Sequence, residues 1–185
     1  MTFKTRTEES RDDWGTPDWI YNWLDDIYAF NIDLAANASN KKTAEYLGPG
    51  SPLLENALAV KDWNEVSKYF TIRGFLNPPF KSTFPDGKKA TMADWLERCY
   101  NSTRTDGIIV ALVPANVETE WWHEWVLQKA YSYRILRGRV NFDGSRGGST
   151  FPSAVVVYVR EPETDRPGRR RRALGSEPEL GRGPG

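Results

Sequence analysis

Cysteine and histidine are almost missing from this sequence of 185 residues, which contains only Cys99 and His123. One cysteine cannot form an internal disulfide, which fits a protein of the reducing cytoplasm. One cysteine and one histidine far apart also cannot supply the ligands of a zinc cluster. We therefore expect a cytoplasmic protein without a bound metal, and Cys99 fits the apolar face of a predicted helix over residues 90–104.

Long apolar runs and net charge are missing as well. No stretch of about 18 apolar residues is present, so we expect no membrane span, and no secretory signal is visible. The formal net charge is zero, with 25 basic and 25 acidic residues. A partner such as a nucleic acid would therefore have to meet a local cluster of basic side chains, because the whole molecule does not attract phosphate.

The most informative stretch is a polar corner at the end of an apolar run. Residues 69–76 predict a strand, which Asn77, Pro78, Pro79 and Phe80 then stop. Two prolines cannot donate ladder hydrogen bonds and fix the backbone beyond the strand. The corner therefore presents an amide side chain, backbone carbonyls and an aromatic ring, a set suited to hold and polarise a planar amine.

A second strand end lies before this corner in the sequence, and this one carries an acid. Residues 30–34 predict a short strand that ends at Asp33 and is followed by small residues, the place where doubly wound sheets bind ligands. A Gly-x-Gly loop is absent there. Thr16 is the expected N-cap, and Pro17 the expected first residue, of a helix over residues 17–29.

The remaining pattern predicts alternating strands and helices. Strands are expected at 107–114, 131–136 and 154–159, and a helix at 118–130. Since no helical pattern separates the last two strands, we expect an antiparallel pair at one sheet edge. The predicted fold class is α/β with a mostly parallel sheet.

Several motifs in order resemble the phage-encoded Dam-like DNA N6-adenine methyltransferase family. They are Trp14-Gly15-Thr16-Pro17, the Ile-Asp-Leu-Ala-Ala segment at 32–36, Asp62-Trp63, Asn77-Pro78-Pro79-Phe80, Arg137-Gly138-Arg139 and the Phe-Pro-Ser-Ala segment at 151–154. The resemblance implies the Rossmann-like fold of S-adenosylmethionine-dependent methyltransferases and an enzyme acting on double-stranded DNA. It also implies a phage or prophage origin.

The resemblance further implies roles for individual residues. Asn77, Pro78, Pro79 and Phe80 would be catalytic, with the amide oxygen and the Pro78 carbonyl accepting the amino hydrogens of a flipped adenine. The residues expected to bind S-adenosyl-L-methionine are Trp14, Thr16, Pro17, Asp33, Ala35, Glu55, Asp62 and Trp63. Glu55 fits the ribose hydroxyls but equally fits a solvated surface, and Asp62 fits the cofactor's adenine but equally a helix cap.

Basic residues in two loops form the expected DNA-binding set: Lys81, Lys88, Lys89, Arg137, Arg139 and Arg146. A solvated surface loop is an equally good interpretation of the three lysines. We expect a flexible segment at 1–12, a methyltransferase domain at 13–160 and a disordered tail rich in Arg, Gly and Pro at 161–185. Oligomeric state does not follow from the sequence.

Three other functions stay open at this point. A cytosine-N4 methyltransferase would use the same geometry, and a protein-glutamine methyltransferase carries a similar motif. From another class, the chain could be a DNA-binding module without catalytic activity. The product of the reaction and the binding of the cofactor separate these possibilities.

Overall fold

The structure is a computed structural model that describes residues 15–103, 106–143 and 151–159. Its elements, in chain order, are α1 (Asp18–Tyr28), β1 (Ile32–Asp33), β2 (Glu45–Tyr46), β3 (Arg73–Leu76), β4 (Ser82–Thr83), β5 (Lys89–Ala90), α2 (Met92–Asn101), β6 (Ile108–Pro114), a π-helix (Trp122–Lys129), β7 (Ser132–Ile135) and β8 (Ser153–Val159). Two short 3₁₀ turns, Ala57–Ala59 and Trp63–Glu65, lie between β2 and β3.

Six strands form the main sheet in the order β2-β1-β3-β6-β8-β7. The strands β2, β1, β3 and β6 pair with one another in parallel. The strand β8 is antiparallel to both β6 and β7. The expected mostly parallel sheet with an antiparallel edge is confirmed, and it is consistent with a Rossmann-like methyltransferase fold. The strands β4 and β5 form a separate antiparallel hairpin in a segment that we expected to be a loop.

The sheet has a core on each face, because successive side chains of a strand point to opposite sides. Along β6, Val110 and Leu112 pack with Ile20 and Leu24 of α1. The alternate residues Ile109, Ala111 and Val113 pack with α2 and the π-helix instead, in a cluster that includes Trp95, Cys99 and Trp122. Helices therefore cover both faces, although the connections from β1 to β2 and from β2 to β3 contain no α-helix, and Cys99 is fully buried as expected.

The helix α1 begins one residue later than predicted. Pro17, not Thr16, occupies the N-cap position, and no side chain caps the helix. The Pro17 carbonyl accepts hydrogen bonds from the backbone N–H groups of Ile20 and Tyr21. The expectation that Thr16 caps the helix is wrong, because Thr16 lies one residue before the N-cap. There it is 3% exposed and forms part of a cavity wall.

The strand β3 is shorter than the predicted 69–76. It begins at Arg73, and Phe70 is 98% exposed instead of buried. The Asn31 side chain fixes this starting point, since its amide nitrogen donates to the Thr71 carbonyl and its oxygen accepts from the Arg73 N–H. The β-ladder with the neighbouring strand therefore begins only where β1 begins.

The segment predicted as a helix at 118–130 is helical over a shorter span. It has π-type hydrogen bonding over Trp122–Lys129, and Trp122 and Val126 are its buried residues. The hydroxyl of the buried Tyr158 donates to the Trp125 carbonyl at 3.0 Å. A side chain of β8 therefore satisfies one backbone acceptor of this wide helix. Among the described residues, none of the helices has both the length and the apolar character that a membrane crossing needs.

Candidate active site at the end of the parallel strands

Asp33 and Asn77 lie near the point where the strand order of the sheet reverses. The chain passes from β1 outward to β2, then returns to β3 on the other side of β1. In open α/β sheets, ligands bind at the carboxyl ends of the strands beside such a reversal. Asp33 is the last residue of β1 and pairs with Phe75 in β3. Asn77 follows the last residue of β3, so the two polar side chains lie at one edge of the sheet.

A narrow cavity of about 40 Å³ opens at this edge. Polar side chains, the Asn77–Phe80 corner and small residues form its wall. Its lining residues are Gly15, Thr16, Asp33, Ala35, Asn40, Lys42, Phe75, Asn77, Pro78, Pro79, Phe80 and Phe142. The structure thus brings all four residues of the predicted catalytic motif together with Thr16, Asp33 and Ala35 of the predicted cofactor set.

Asp33 is a buried carboxylate inside this cavity, with the residue 3% exposed. Its two oxygens accept hydrogen bonds from the backbone N–H groups of Ala35 at 3.3 Å and Lys42 at 3.1 Å. Burial raises the pKa of Asp33 to about 6, although these hydrogen bonds and the nearby Lys42 charge oppose the shift. An ionised, buried carboxylate with so little compensation favours a cationic ligand.

The Asn77–Phe80 corner is fixed from behind by side chains of other elements. The Pro79 carbonyl accepts from the Ser82 hydroxyl at 3.0 Å, and the Trp95 indole donates to that same hydroxyl oxygen at 3.1 Å. Phe80 itself stays 44% exposed, and its ring meets Phe151 edge-on with 5.1 Å between centroids. The corner is therefore supported while its aromatic face remains open to a partner.

A wider recess of about 290 Å³ continues from the narrow cavity. It shares Ala35, Asn40 and Pro79 with that cavity, so the two spaces adjoin. The predicted ribose residue Glu55 lies in the wall of this recess and is exposed.

The wall of the recess is fixed by a buried cation and by a glycine. The guanidinium of Arg98 donates to the carbonyls of Val60 at 2.8 Å and Leu58 at 3.0 Å, which ties the wall to α2. Gly48 has φ +136°, and a Cβ there would lie 2.1 Å from the Ala36 carbonyl oxygen. No residue except glycine permits this approach of two backbone segments.

Asp62 and Trp63 do not line the cavity or the recess. The Asp62 carboxylate accepts from the Asn64 backbone N–H at 3.0 Å and so caps a 3₁₀ turn. Trp63 is completely buried, donates to the Ala57 carbonyl at 2.8 Å and packs on Trp95. The structure therefore favours the cap interpretation of Asp62, and Trp63 has no exposed face on which a cofactor ring could stack.

The remaining predicted residues lie around the site or outside the described chain. Pro17 is buried at the start of α1. Lys81 lies in the wall of the wider recess. Lys88 and Lys89 are exposed in the β4–β5 hairpin segment, where Lys88 pairs with Asp86 at 3.1 Å.

Arg137 and Arg139 are exposed in the segment after β7. Trp14, Arg146, the segment 1–12 and the tail 161–185 lie outside the described residues. No group of three or more His, Cys, Asp or Glu side chains in the described ranges could hold a metal ion.

Some lining residues were not assigned to the site from the sequence. Gly15 and Phe142 reach the cavity because Gly15 forms a two-residue antiparallel bridge with Asp143, with N···O distances of 3.1 and 2.9 Å. Lys42 reaches it from the segment after β1. Its nine-residue separation from Asp33 in a polar stretch gave no recognisable pattern, so only the folded chain reveals it.

The sheet order, the acid at the end of β1 and the Asn-Pro-Pro-Phe corner after β3 define an α/β methyltransferase-type fold, with its candidate site at the switch point where the strand order reverses. Residues 4–164 match the model of the family described as DNA N-6-adenine-methyltransferase (Dam). The chain is also 23% identical over 166 residues to a DNA N-6-adenine-methyltransferase of Haemophilus phage HP1 (strain HP1c1), and the alignment covers 85% of each chain. Because the family match spans most of the chain, the protein belongs to the Dam DNA N-6-adenine-methyltransferase family.

Proposed function

We propose that this protein transfers a methyl group from S-adenosyl-L-methionine to the N6 atom of an adenine in double-stranded DNA. The observation that carries the proposal is that Asp33 and Asn77 line the same cavity at the switch point. Family membership supports the target, and the buried acid beside a polarising amide supports the chemistry. The same family and its phage relative support a phage-encoded protein that works in the cytoplasm of a bacterial host.

The donor set of the site fits the proposed cofactor. Asp33 is a buried carboxylate that suits the ammonium of the methionine moiety, and Thr16 lies in the same wall. The small Ala35 side chain lines both spaces and allows close approach of the cofactor to the backbone, and the wider recess suits the nucleoside part. Glu55 is the candidate acid for the ribose hydroxyls. When bound, the cofactor supplies an electrophilic methyl group on a sulfonium sulfur.

The Asn77 corner would act on the target amine. A base must leave the stack for its N6 atom to be reached. The Asn77 amide oxygen and the Pro78 carbonyl would accept the two amino hydrogens, which localises the nitrogen lone pair and makes the nitrogen more nucleophilic. Phe80, half exposed at the cavity mouth, would stack on the flipped ring. The site holds the amine in line and polarises it, so the proton can leave after methyl transfer.

DNA would approach across the two basic segments around the cavity. All five described residues of the expected DNA-binding set are exposed: Lys81, Lys88, Lys89, Arg137 and Arg139. Such residues position the phosphate backbone and carry little sequence information. We propose that the loops at 81–90 and 137–152 determine a short or relaxed recognition sequence.

Incubation with methyl-labelled S-adenosylmethionine and duplex DNA, followed by nucleoside analysis, tests the proposal. N6-methyl-2′-deoxyadenosine as the labelled nucleoside supports it, and N4-methyl-2′-deoxycytidine would establish the cytosine alternative. Label in a protein substrate and none in DNA would favour the glutamine alternative. No label transfer together with no cofactor binding by calorimetry would favour a DNA-binding module without catalytic activity.

Asn77→Ala is the matched variant for the chemical step. Because the Asn77 side chain contacts the amine and not the donor, methylation should be abolished while the affinity for S-adenosylhomocysteine changes less than about threefold. Asn22→Ala is a suitable control, since Asn22 is exposed on α1 and lines neither the cavity nor the wider recess. Near-normal turnover of Asn77→Ala would show that the amide does not have the assigned role.

A further inference from the structure

Lys42 places a cation in the same cavity as the Asp33 carboxylate. Its side chain is 16% exposed and lines the cavity together with Thr16 and Asn40. Its backbone N–H donates to the Asp33 carboxylate at 3.1 Å, and its Nζ lies 2.6 Å from an oxygen of Asp18. Lys42 thus holds the Asp33 carboxylate through its backbone N–H group and places a positive charge near that carboxylate through its side chain.

The ion pair with Asp18 is a weak tether for this cation. The Asp18 side chain is 82% exposed in the first turn of α1. An exposed ion pair contributes little to stability, because water solvates both partners when they separate. Asp18 also interacts favourably with the positive end of the helix dipole without any lysine. The Lys42 ammonium can therefore leave Asp18 for a competing anion in the cavity at small cost.

We propose that Lys42 binds the α-carboxylate of the amino-acid end of the methyl donor, while Asp33 binds its α-ammonium. This inference rests on the proposed function, since it assumes that the cavity takes the methionine moiety. A zwitterion carries its two opposite charges as substituents of one carbon, and the cavity wall contains one negative side chain, Asp33, and one positive side chain, Lys42. The site would thus select nucleosides that carry an intact amino acid over those that lack its carboxylate.

Calorimetry with two ligands isolates this contact. S-adenosylhomocysteine carries the carboxylate, and its decarboxylated analogue keeps the amine and the nucleoside. The wild-type protein should bind S-adenosylhomocysteine about 10- to 100-fold more tightly than the analogue, the range expected for a charge-assisted hydrogen bond. In Lys42→Met, which keeps the apolar stem, the two ligands should bind with affinities within about threefold of each other.

Asp18→Asn is the matched control, because it removes the same ion pair from the other side. If Lys42 only held α1 in place, Asp18→Asn would weaken ligand binding as much as Lys42→Met does. A carboxylate-binding Lys42 predicts unchanged or tighter binding of S-adenosylhomocysteine by Asp18→Asn. If Lys42→Met fails to fold by circular dichroism, Lys42→Arg replaces it and should retain most of the preference for the carboxylate.

Failure of this inference can be distinguished from failure of the proposed function. If the wild-type protein binds both ligands equally, or if Lys42→Met keeps the full preference, Lys42 does not bind the carboxylate and the proposed function stands. Absence of binding of either ligand to the wild-type protein overturns both. DNA methylation by the wild-type protein, measured in parallel, shows which case applies.

Discussion

Cofactor affinity should fall steeply in weak acid because of the ionisation of one residue. Burial raises the pKa of Asp33 to about 6 from an ordinary value of 3.8. At pH 7.5 about 97% of this carboxyl group is ionised, and at pH 5 only about 9% is. If only the carboxylate binds the ligand ammonium, the dissociation constant of S-adenosylhomocysteine should rise about tenfold from pH 7.5 to pH 5.

The neighbouring groups should not titrate over this range. The pKa of Asp18 is lowered by its hydrogen bond to Lys42, so Asp18 stays ionised. Burial, with contributions from Asp25 and Asp33, raises the pKa of Tyr21 well above its usual range, so its hydroxyl stays neutral. The pH dependence should therefore follow a single group with a midpoint near pH 6 in the free protein.

Isothermal titration calorimetry at pH 5, 6 and 7.5 measures this effect directly. At pH 5 binding should release close to one proton, which is detected by repeating the titration in buffers of different ionisation enthalpy. Asp33→Asn cannot ionise, so its weaker affinity should stay flat across the same range. A wild-type affinity that is equal at pH 5 and pH 7.5, or a parallel fall in Asp33→Asn, would refute the reasoning.

Two further predictions concern the recess wall and the DNA contact. Gly48→Ala should lower the free energy of unfolding by at least about 2 kcal/mol, because it strains a positive φ and drives a Cβ against the Ala36 carbonyl. Chemical denaturation measures this loss, and a stability equal to wild type would show that the backbone relaxes freely. Arg139→Gln should weaken DNA binding similarly for all sequences and reduce the slope of log K against log salt by about one. Fluorescence anisotropy at several salt concentrations measures this slope, with Lys129→Gln on the π-helix as control, and an unchanged slope would exclude a phosphate contact by Arg139.

Short motifs at strand ends were predictable because each is fixed by local chemistry. A strand that stops at Asn77 and two prolines has one sensible geometry, and an acid such as Asp33 before small residues has a preferred position in this fold class. The two motifs are 44 positions apart in sequence. Only the order of the strands in the sheet makes them neighbours, and the sequence pattern predicted a mostly parallel sheet without its strand order.

Strand boundaries and buried aromatic residues were harder to predict. The pattern at 69–72 continues that of β3, but the hydrogen bonds of the Asn31 side chain start the ladder at Arg73. Asp62-Trp63 resembles a ligand-binding pair, yet the same two residue types also make a capped turn and a core anchor. Which alternative applies depends on whether α2 and the 3₁₀ turns cover the indole, and such a tertiary contact has no local sequence signal.

The burial of ionised Asp33 lowers the stability of the folded state. With a folded pKa near 6 and an unfolded value of 3.8, the ionised Asp33 destabilises the folded state by about 3 kcal/mol at neutral pH. The sign is opposite to that of a salt-bridged acid: the folded state gains stability as pH falls from about 6 towards 3.8, and loses it as pH rises through 6. A neutral Asn at this position would avoid the cost of desolvating a charge while its amide oxygen could still accept a backbone hydrogen bond, so stability alone does not favour the carboxylate. This cost supports the proposal that the Asp33 carboxylate is a binding group, because a cationic ligand would offset its unfavourable burial.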